Sequence, residues 1–359
     1  MLEHVLGIKL GSQWTVAYGK GAAEKNGDKW GPRTELTCVH QVPAHLTRRI
    51  SNYRFSHQAD PFDGVIYPLQ YGLPRDDRAV PLKKSVMLLR EYINWLLKDV
   101  EEETGIVFCL PMMRQAEGLQ QLKAVINGIK QGSIGKMYIM EAWAASLATI
   151  GIQESLESQV IAMNFGSSTL EVALFAGREL IAQNVYPFGG WDLDRELAHA
   201  ISQAHRGITV TPRQARMVKE TFNYEDPEVI DGVFTKEGKV VEVQIQPEVF
   251  TPVLEHFAAQ VANVVATQFL ATASQASEKT VAAIQTEGIG YLAVCGGLSC
   301  MPGFGDLIGR SLVEGGAINP NLKTRYPTDP DGVTAPAWGA VLMAEVLEEE
   351  RERKNKKKW

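Results

Sequence analysis

The sequence predicts an α/β fold made of two similar halves, and three observations support this interpretation. First, residues 6–13 (LGIKLGSQ) are echoed by residues 161–168 (IAMNFGSS), so that Asn164 stands 155 positions after Lys9 in the same pattern. Second, residues 142–145 (AWAA) are echoed by residues 337–340 (AWGA). Third, strand-like and helix-like patterns alternate along the chain, which is typical of the α/β class.

Each copy of the first repeat has the pattern of a β-hairpin. An apolar run broken by one polar residue leads into Gly-Ser, and a second apolar run follows at 15–18 and at 170–175. Glycine permits the backbone conformations of a tight turn, so two strands joined by a Gly-Ser turn fit both copies. Hairpins and small-residue helices that recur in the same order indicate an internal duplication.

The segments between the repeats also have recognisable periods. Residues 105–110 (GIVFCL) and 137–140 (MYIM) are predicted to be buried strands, with a helix over 114–130 between them. Apolar residues at three- and four-residue spacing predict helices over 82–100 and 253–273.

Two stretches are expected to form smaller subdomains. Residues 32–79 are poor in helix signals and rich in Pro, Gly, Asn and Asp, and residues 203–247 are the expected counterpart in the second half. The end of the chain, 348–359 (EEERERKNKKKW), is predicted to be a charged helix that runs into a basic tail.

Composition limits the function classes. The 359 residues are 45% hydrophobic and 22% charged, an ordinary globular balance, and a net charge of −6 gives no basic field for nucleic acid. The sequence has no uninterrupted apolar run of membrane-spanning length and no basic and apolar leader at its start, so a cytoplasmic protein is expected. Cys109 and Cys295 lie in strand-like runs and are expected to be buried free thiols in a reducing compartment.

A Gly-Ser turn between two strands is suited to binding phosphate. The glycine lets the backbone approach the ligand, and the hydroxyl and exposed amides donate hydrogen bonds to its oxygens. One such turn occurs in many hairpins for structural reasons alone. Two turns that face each other, one from each half, would clamp a triphosphate from both sides and are a far more specific signal.

Five segments together resemble the motifs of the actin, hexokinase and heat-shock chaperone superfamily. Residues 7–12 and 164–172 are similar to its two phosphate motifs, and residues 140–145 and 335–342 to its two connecting helices. Residues 293–299, with Pro302 and Gly303, are similar to its adenosine motif. Further segments, at 67–72, 105–111 and 188–194, are similar to bacterial actins of the MreB and MamK type.

The resemblance implies a duplicated RNase H-like (actin-like ATPase) fold with two lobes around a nucleotide cleft. The first lobe would span residues 1–150, with a C-terminal helix at about 335–350 packing back on it. The second lobe would span 151–334, and 351–359 would be the basic tail.

The resemblance also implies a set of residues that bind adenine nucleotide, ATP or ADP. One side of the phosphates would be lined by Lys9, Gly11, Ser12 and Gln13, and the other by Asn164, Gly166, Ser167 and Ser168. Gly296 and Gly297 would let the backbone approach the adenosine. Lys219 falls near the helix that contacts adenine and ribose in the family; a solvated helix face is the alternative for this residue.

Glu141 matches the acid that orients the attacking water in the family, and it is the one predicted catalytic residue. The alternative is a carboxylate at the head of a helix that interacts with the helix dipole. Lys9 and Asn164 depart from the family pattern, which has Asp at both positions to hold magnesium through its waters. We therefore expect weak or absent magnesium-dependent hydrolysis and no protein ligand to a metal; Lys9 could neutralise phosphate directly.

The expected function is an actin-like cytoskeletal protein that assembles with itself into cytoplasmic filaments to organise cell shape or cargo. The alternative is a non-polymerising pseudo-ATPase or a kinase- or reactivase-like regulator of the same fold, including a chain that has lost nucleotide altogether. The tail with Lys356, Lys357, Lys358 and Trp359 would suit weak contact with a membrane or an acidic partner, although such tails are usually just solvated.

Overall fold

The computed structural model describes residues 5–20, 33–42, 53–59, 64–100, 104–110, 117–129, 137–141, 159–177, 179–236, 238–271, 288–316, 318, 320–328 and 331–356. The chain divides into two compact units. Unit 1 comprises Met1–Thr149 and Asp329–Trp359, and unit 2 comprises Ile150–Thr328. Each unit is described by itself below.

Unit 1 is built on a five-stranded sheet. In chain order its described strands are β1 (Val5–Lys9), β2 (Trp14–Lys20), β3 (Arg33–Leu36), β4 (Val39–Gln41), β5 (Tyr53–Phe55), β6 (Leu69–Gln70), β7 (Leu73–Pro74), β8 (Gly105–Leu110) and β9 (Met137–Glu141). The sheet has the order β3-β2-β1-β8-β9, with β1 parallel to β8 and β8 parallel to β9. The pairs β4-β5 and β6-β7 form two small antiparallel ribbons.

Two helices of unit 1 bury apolar stripes, and a third packs on strand β1. Helix α1 (Leu82–Leu96) buries Leu88, Leu89 and Ile93 because these residues recur at helical spacing, and α2 (Glu117–Asn127) buries a similar stripe. The long C-terminal helix, here called α7 (Ala335–Lys356), contributes Ala340 and Val341 to a cluster with Val5 and Val107.

The close approach of α7 to β1 depends on one glycine. A Cβ atom on Gly7 would collide with the carbonyl oxygen of Ala337. Nearby, the Cys109 thiol donates to the carbonyl oxygen of Pro336 over 3.3 Å. The small residues of the AWGA segment therefore let a helix sit directly on a strand.

Unit 2 is built on a second five-stranded sheet. Its described strands are β10 (Gln159–Phe165), β11 (Leu170–Ala176), β12 (Glu179–Tyr186), β13 (Ile208–Thr209), β14 (Ile230–Lys236), β15 (Lys239–Ile245), β16 (Ile289–Gly296) and β17 (Lys323–Arg325). The main sheet has the order β12-β11-β10-β16-β17, and β13-β14-β15 form a separate three-stranded sheet. Strand β10 is antiparallel to β11 and parallel to β16.

The described helices of unit 2 are α3 (Gly190–Ala204), α4 (Pro212–Lys219), α5 (Pro247–Val264) and α6 (Phe304–Glu314). Helix α5 continues as a π-helical turn over Val265–Leu270. Of the helices in the described ranges, Pro247–Leu270 is the one long and apolar enough to cross a membrane by length and composition. Its Phe250, Leu254 and Phe257 are fully buried in the core of the unit, which accounts for its apolar character.

The two main sheets confirm the predicted duplication, because each has a hairpin, a third antiparallel strand and then two parallel strands in the same order. The predicted strands at 105–110 and 137–140 are confirmed, and the predicted helices are present with shorter or shifted bounds. Cys109 and Cys295 are buried free thiols, as predicted. The lobe and subdomain boundaries stay predictions, and β3, inside the expected 32–79 subdomain, belongs to the main sheet of unit 1.

Candidate functional site: two phosphate-type turns

The first predicted phosphate turn joins β1 to β2. Lys9 ends β1 and Trp14 begins β2, so Gly11, Ser12 and Gln13 lie in the turn. A Cβ on Gly11 would collide with the carbonyl oxygen of Trp14, so this tight turn requires glycine. Ser12 and Gln13 are both buried, at 4% and 3% exposure.

Ser12 is held by a second turn of unit 1. Its Oγ accepts a hydrogen bond from the backbone N–H of Gly72 at 3.0 Å. Gly72 and Tyr71 both have positive φ, 73° and 54°, as in the primed two-residue turns that join β-hairpins, here β6 and β7. The 67–72 segment resembles bacterial actins, but its sequence predicts no role for Gly72. A positive φ at a tyrosine leaves no trace in the sequence.

The parallel strands place Glu141 at the same sheet edge as Lys9. Lys9 is paired with Cys109, and Glu141 is paired with Leu110, the next residue of β8. The carboxyl ends of parallel strands meet at one edge of a sheet, so these two predicted residues lie at the same edge, with β8 between their strands. Glu141 is the last residue of β9. Of the predicted first connecting helix at 140–145, residues 142–145 lie outside the described residues, so the position of Glu141 at the head of a helix stays a prediction.

The second predicted phosphate turn joins β10 to β11. The backbone N–H of Gly166 donates to the carbonyl oxygen of Thr169 at 2.8 Å and closes the turn. Ser168 is buried at 2% exposure, whereas Ser167 is half-buried. The turn therefore has the form that the repeat predicts.

The N-terminus of α3 lies directly on this turn. The backbone N–H of Gly190 donates to the carbonyl oxygen of Gly166 at 3.0 Å, and that of Trp191 donates to the carbonyl oxygen of Ser167 at 2.6 Å. A Cβ on Gly189 would stand 2.5 Å from the Gly166 oxygen, so the fit allows no side chain there. The amino end of a helix carries a partial positive charge, which favours anions beside it.

Asn164 is engaged by a buried carboxylate. Its Nδ2 donates to Glu171 Oε2 at 3.1 Å, across the hairpin pair of β10 and β11. The thiol of Cys295 lies 3.7 Å from Asn164 Oδ1. The sequence motifs alone predicted no role for Glu171. Glu171 could have been identified as the partner of Asn164, because residues equally far from the turn of a hairpin stand opposite each other.

The two predicted adenosine glycines occupy different surroundings. Gly296 ends β16 with φ of 90°, and a Cβ there would collide with the carbonyl oxygen of Phe165. A Cβ on Gly297 would meet nothing within 4 Å. Gly296 thus brings β16 against the end of β10, while Gly297 faces open space.

Lys219 forms a buried ion pair. Its Nζ donates to Asp194 Oδ1 at 2.6 Å, and the two side chains are 8% and 4% exposed. Burial raises the pKa of the Asp194 carboxyl above its usual value, and the charge of Lys219 opposes that rise. The solvated helix face that was the alternative for Lys219 does not describe this residue. Nucleotide contact stays a prediction.

The residues at the two turns do not fit a divalent cation. Magnesium needs several oxygen ligands, mostly carboxylate or water. The position in β1 holds Lys9, and the position in β10 holds an amide whose nitrogen is committed to Glu171. Among the described residues there is no group of three or more His, Cys, Asp or Glu that could hold a metal ion.

Two surface cavities of unit 2 lie beside α6. Their volumes are about 390 Å³ and 260 Å³, and both are bordered by Asp306 and Arg310. The larger cavity is also lined by Gly303, which belongs to the segment that resembles the adenosine motif. None of the residues assigned to nucleotide contact lines either cavity.

Comparisons with known proteins support the fold. A protein-family model described as Salactin matches residues 3–348. A "MamK double helical filament" is 18% identical, with a TM-score of 0.71 over 95% of this chain and 98% of that one. MreB5 of Spiroplasma citri bound to AMPPNP is 14% identical, with a TM-score of 0.72 over 99% of both chains. A non-polymerising MamK mutant bound to AMPPNP is 17% identical, with a TM-score of 0.60 over 96% of this chain and 99% of that one.

No curated protein sequence matches the chain. At these levels of identity the structural matches establish the fold, and they confirm the predicted fold class, an actin-superfamily fold of the MamK and MreB type.

Proposed function

The chain belongs to the Salactin family, and on this premise we propose that it is an actin-like cytoskeletal protein that binds adenine nucleotide and polymerises into cytoplasmic filaments. The observation that carries the proposal is the same strand-turn-strand element built twice, each copy at the carboxyl edge of a sheet of the same order. MreB5 structures with ADP and with AMPPNP, and a MamK filament, share this fold.

The geometry of the turns supports phosphate binding. In unit 1, Ser12 is fixed by Gly72 and glycine closes the bend; in unit 2, two amides of α3 hold the turn and bring a helix N-terminus to it. Turns that are held in place in this way lose little freedom on binding, and the helix N-terminus beside the second turn favours an anion. We assign Lys9, Gly11, Ser12, Gln13, Asn164, Gly166, Ser167 and Ser168 to the phosphates and Gly296 and Gly297 to the adenosine.

The test of assembly is a pelleting assay with electron microscopy of the purified chain, with ATP, with ADP and without nucleotide. We expect sedimentable filaments in at least one of these states. The matched control is Lys236→Met, which removes an exposed charge from β14 and should pellet as the wild type does. A chain that stays monomeric in every state would contradict the filament proposal.

We further propose that nucleotide binding needs no divalent cation and that hydrolysis is weak. Lys9 would neutralise phosphate as a point charge where a metal-associated carboxylate would otherwise stand. Isothermal titration with ATP should give affinities within about threefold of each other in magnesium and in EDTA. For the variant Lys9→Asp/Asn164→Asp we expect at least tenfold tighter binding in magnesium than in EDTA, because two carboxylates are supplied to the cation. Robust magnesium-dependent turnover by the wild type would contradict the proposal.

A second candidate is a non-polymerising regulator of the same fold. The departures at Lys9 and Asn164 favour it, because a fold outlasts its site chemistry. In that case the chain would bind a partner. The titration would then show no nucleotide binding, and the pelleting assay would show no filaments. Glu141 would then have no water to orient.

The basic tail is proposed to have at most an accessory role. Removal of residues 354–359 should leave pelleting unchanged if the tail is only solvated. Loss of binding to vesicles that contain anionic lipid, measured by co-sedimentation, would assign it a membrane contact.

A further inference from the structure

The buried pair of Lys219 and Asp194 joins two elements that the proposed nucleotide site uses. Lys219 is the last residue of α4, and Asp194 is the fifth residue of α3. Their charged atoms are 2.6 Å apart with both side chains less than a tenth exposed. An ammonium held in this way is already committed to a carboxylate, so it is poorly placed to serve a ligand as a free cation.

Asp194 lies about one helical turn beyond the amides that hold the phosphate turn. Gly190 and Trp191 donate to the carbonyl oxygens of Gly166 and Ser167. A helix transmits displacement along its axis as a rigid body over one turn because its backbone hydrogen bonds are continuous. The position of Asp194 therefore sets the position of those two donors.

The N-terminus of α3 packs tightly against the Gly166–Thr169 turn. A Cβ on Gly189 would stand 2.5 Å from the Gly166 oxygen and 2.9 Å from the Thr169 nitrogen, and a Cβ on Gly190 would stand 3.7 Å from Lys219 Nζ. Lys219 therefore lies beside the first residue of α3, and the residue before that helix packs tightly on the turn.

We propose that Lys219 is a positioning residue: through Asp194 and the N-terminus of α3 it holds the Gly166–Thr169 turn in the form that binds a triphosphate, and it makes no contact with base or ribose. The inference rests on the proposed nucleotide binding. It assigns roles to Asp194, Gly189 and Gly190, which lie in the 188–194 segment but were given no role there, and it replaces the predicted direct contact of Lys219 with an indirect one.

The test compares ATP with adenosine, which lacks the phosphates, by isothermal titration of the full chain. The variants are Lys219→Met, Asp194→Asn and the double variant, with Lys236→Met as the matched control. We expect each of the three to bind ATP about tenfold more weakly, within the range of typical coupling between sites. Affinity for adenosine should stay within about twofold of the wild type, and the control should match the wild type for both ligands.

Asp194→Asn decides between positioning and contact. Unchanged ATP affinity in this variant would overturn the inference, and so would an equal loss of ATP and adenosine affinity in Lys219→Met, which is the signature of direct contact. If the wild type binds neither ligand, the proposed function itself fails. If the wild type binds ATP and the variants do not weaken it, the inference alone fails.

Hydrogen exchange on the wild-type chain gives a second measurement that needs no variant. ATP should slow exchange at residues 189–191 and at residues 212–219 together, while adenosine should leave 189–191 unchanged. Protection by ATP confined to residues 166–169 would overturn the inference even if the substituted chains failed to fold.

Discussion

The turn after β1 and the turn after β10 occupy the same place in two sheets of the same strand order, but they are held in different ways. In unit 1 the turn is fixed from the side, by the hairpin turn at Gly72 that donates to Ser12. In unit 2 it is fixed by the amino end of α3, which is itself anchored by a buried ion pair. The two units therefore share the strand-turn-strand element, but different contacts hold its turn in each unit.

The charges of the two turns also differ, although they occupy equivalent positions. Lys9 stands opposite Val16 in its hairpin, whereas Asn164 stands opposite Glu171. The first turn therefore carries a cation and the second a buried carboxylate one strand away. The two copies of a repeat can therefore keep the same backbone while the charged side chains beside their turns differ.

The largest expected effect comes from breaking the anchor of the second turn. Lys219→Met leaves the Asp194 carboxylate buried without its partner, and removing one member of a buried pair costs about 3–5 kcal/mol of unfolding free energy. Denaturant unfolding at pH 7 measures this loss. A loss below about 1 kcal/mol would show that the pair is not the anchor.

The same variant has a defined pH dependence. Burial already raises the pKa of Asp194, and without Lys219 that pKa rises further. A carboxyl whose folded pKa lies above its unfolded value contributes stability at low pH that is lost as pH rises through the folded pKa. The deficit of Lys219→Met should therefore be smaller at pH 5 than at pH 7, and in the double variant with Asp194→Asn it should be nearly constant.

An intermediate effect is expected at the strands that carry the turns. Gly7 and Ala162 are equivalent positions of β1 and β10, and a Cβ on Gly7 would collide with the carbonyl oxygen of Ala337 in a helix. Gly7→Ala should cost about 1–3 kcal/mol of unfolding free energy through overpacking against Ala337. The reciprocal change Ala162→Gly should cost about 1 kcal/mol at most. Equal losses would show that the two strands are packed alike.

The smallest expected effect concerns the support of the first turn. Ser12→Ala removes the acceptor for the Gly72 N–H and should cost about 1 kcal/mol. The equivalent change in the second turn, Ser167→Ala, should cost less than about 0.5 kcal/mol, because the support there is given by backbone carbonyls. Thermal melting of the two variants checks the ranking, and the reverse order would contradict it.

The two hairpins and the duplicated sheets were predictable because a Gly-Ser turn between apolar runs is a local signal that occurs twice. The contacts that support the two turns were not predictable, because they join residues that are far apart in sequence. Gly72 lies 60 residues from Ser12, and Asp194 lies 25 residues from Lys219 on another helix. The strand at 137–140 was predictable from its short apolar run, and the structure extends it by one residue to Glu141.

The contact between Gly7 and Ala337 joins segments that lie before and after unit 2 in sequence, and so bears on synthesis. Strand β1 is made before unit 2, but the residues that cover it, Ala340 and Val341 among them, are made after unit 2. Unit 2, which is continuous in sequence, can close while the nascent chain is still growing. A stop codon between the end of unit 2 at Thr328 and the start of α7 at Ala335 would therefore release a protein with one finished unit and an uncovered face of β1.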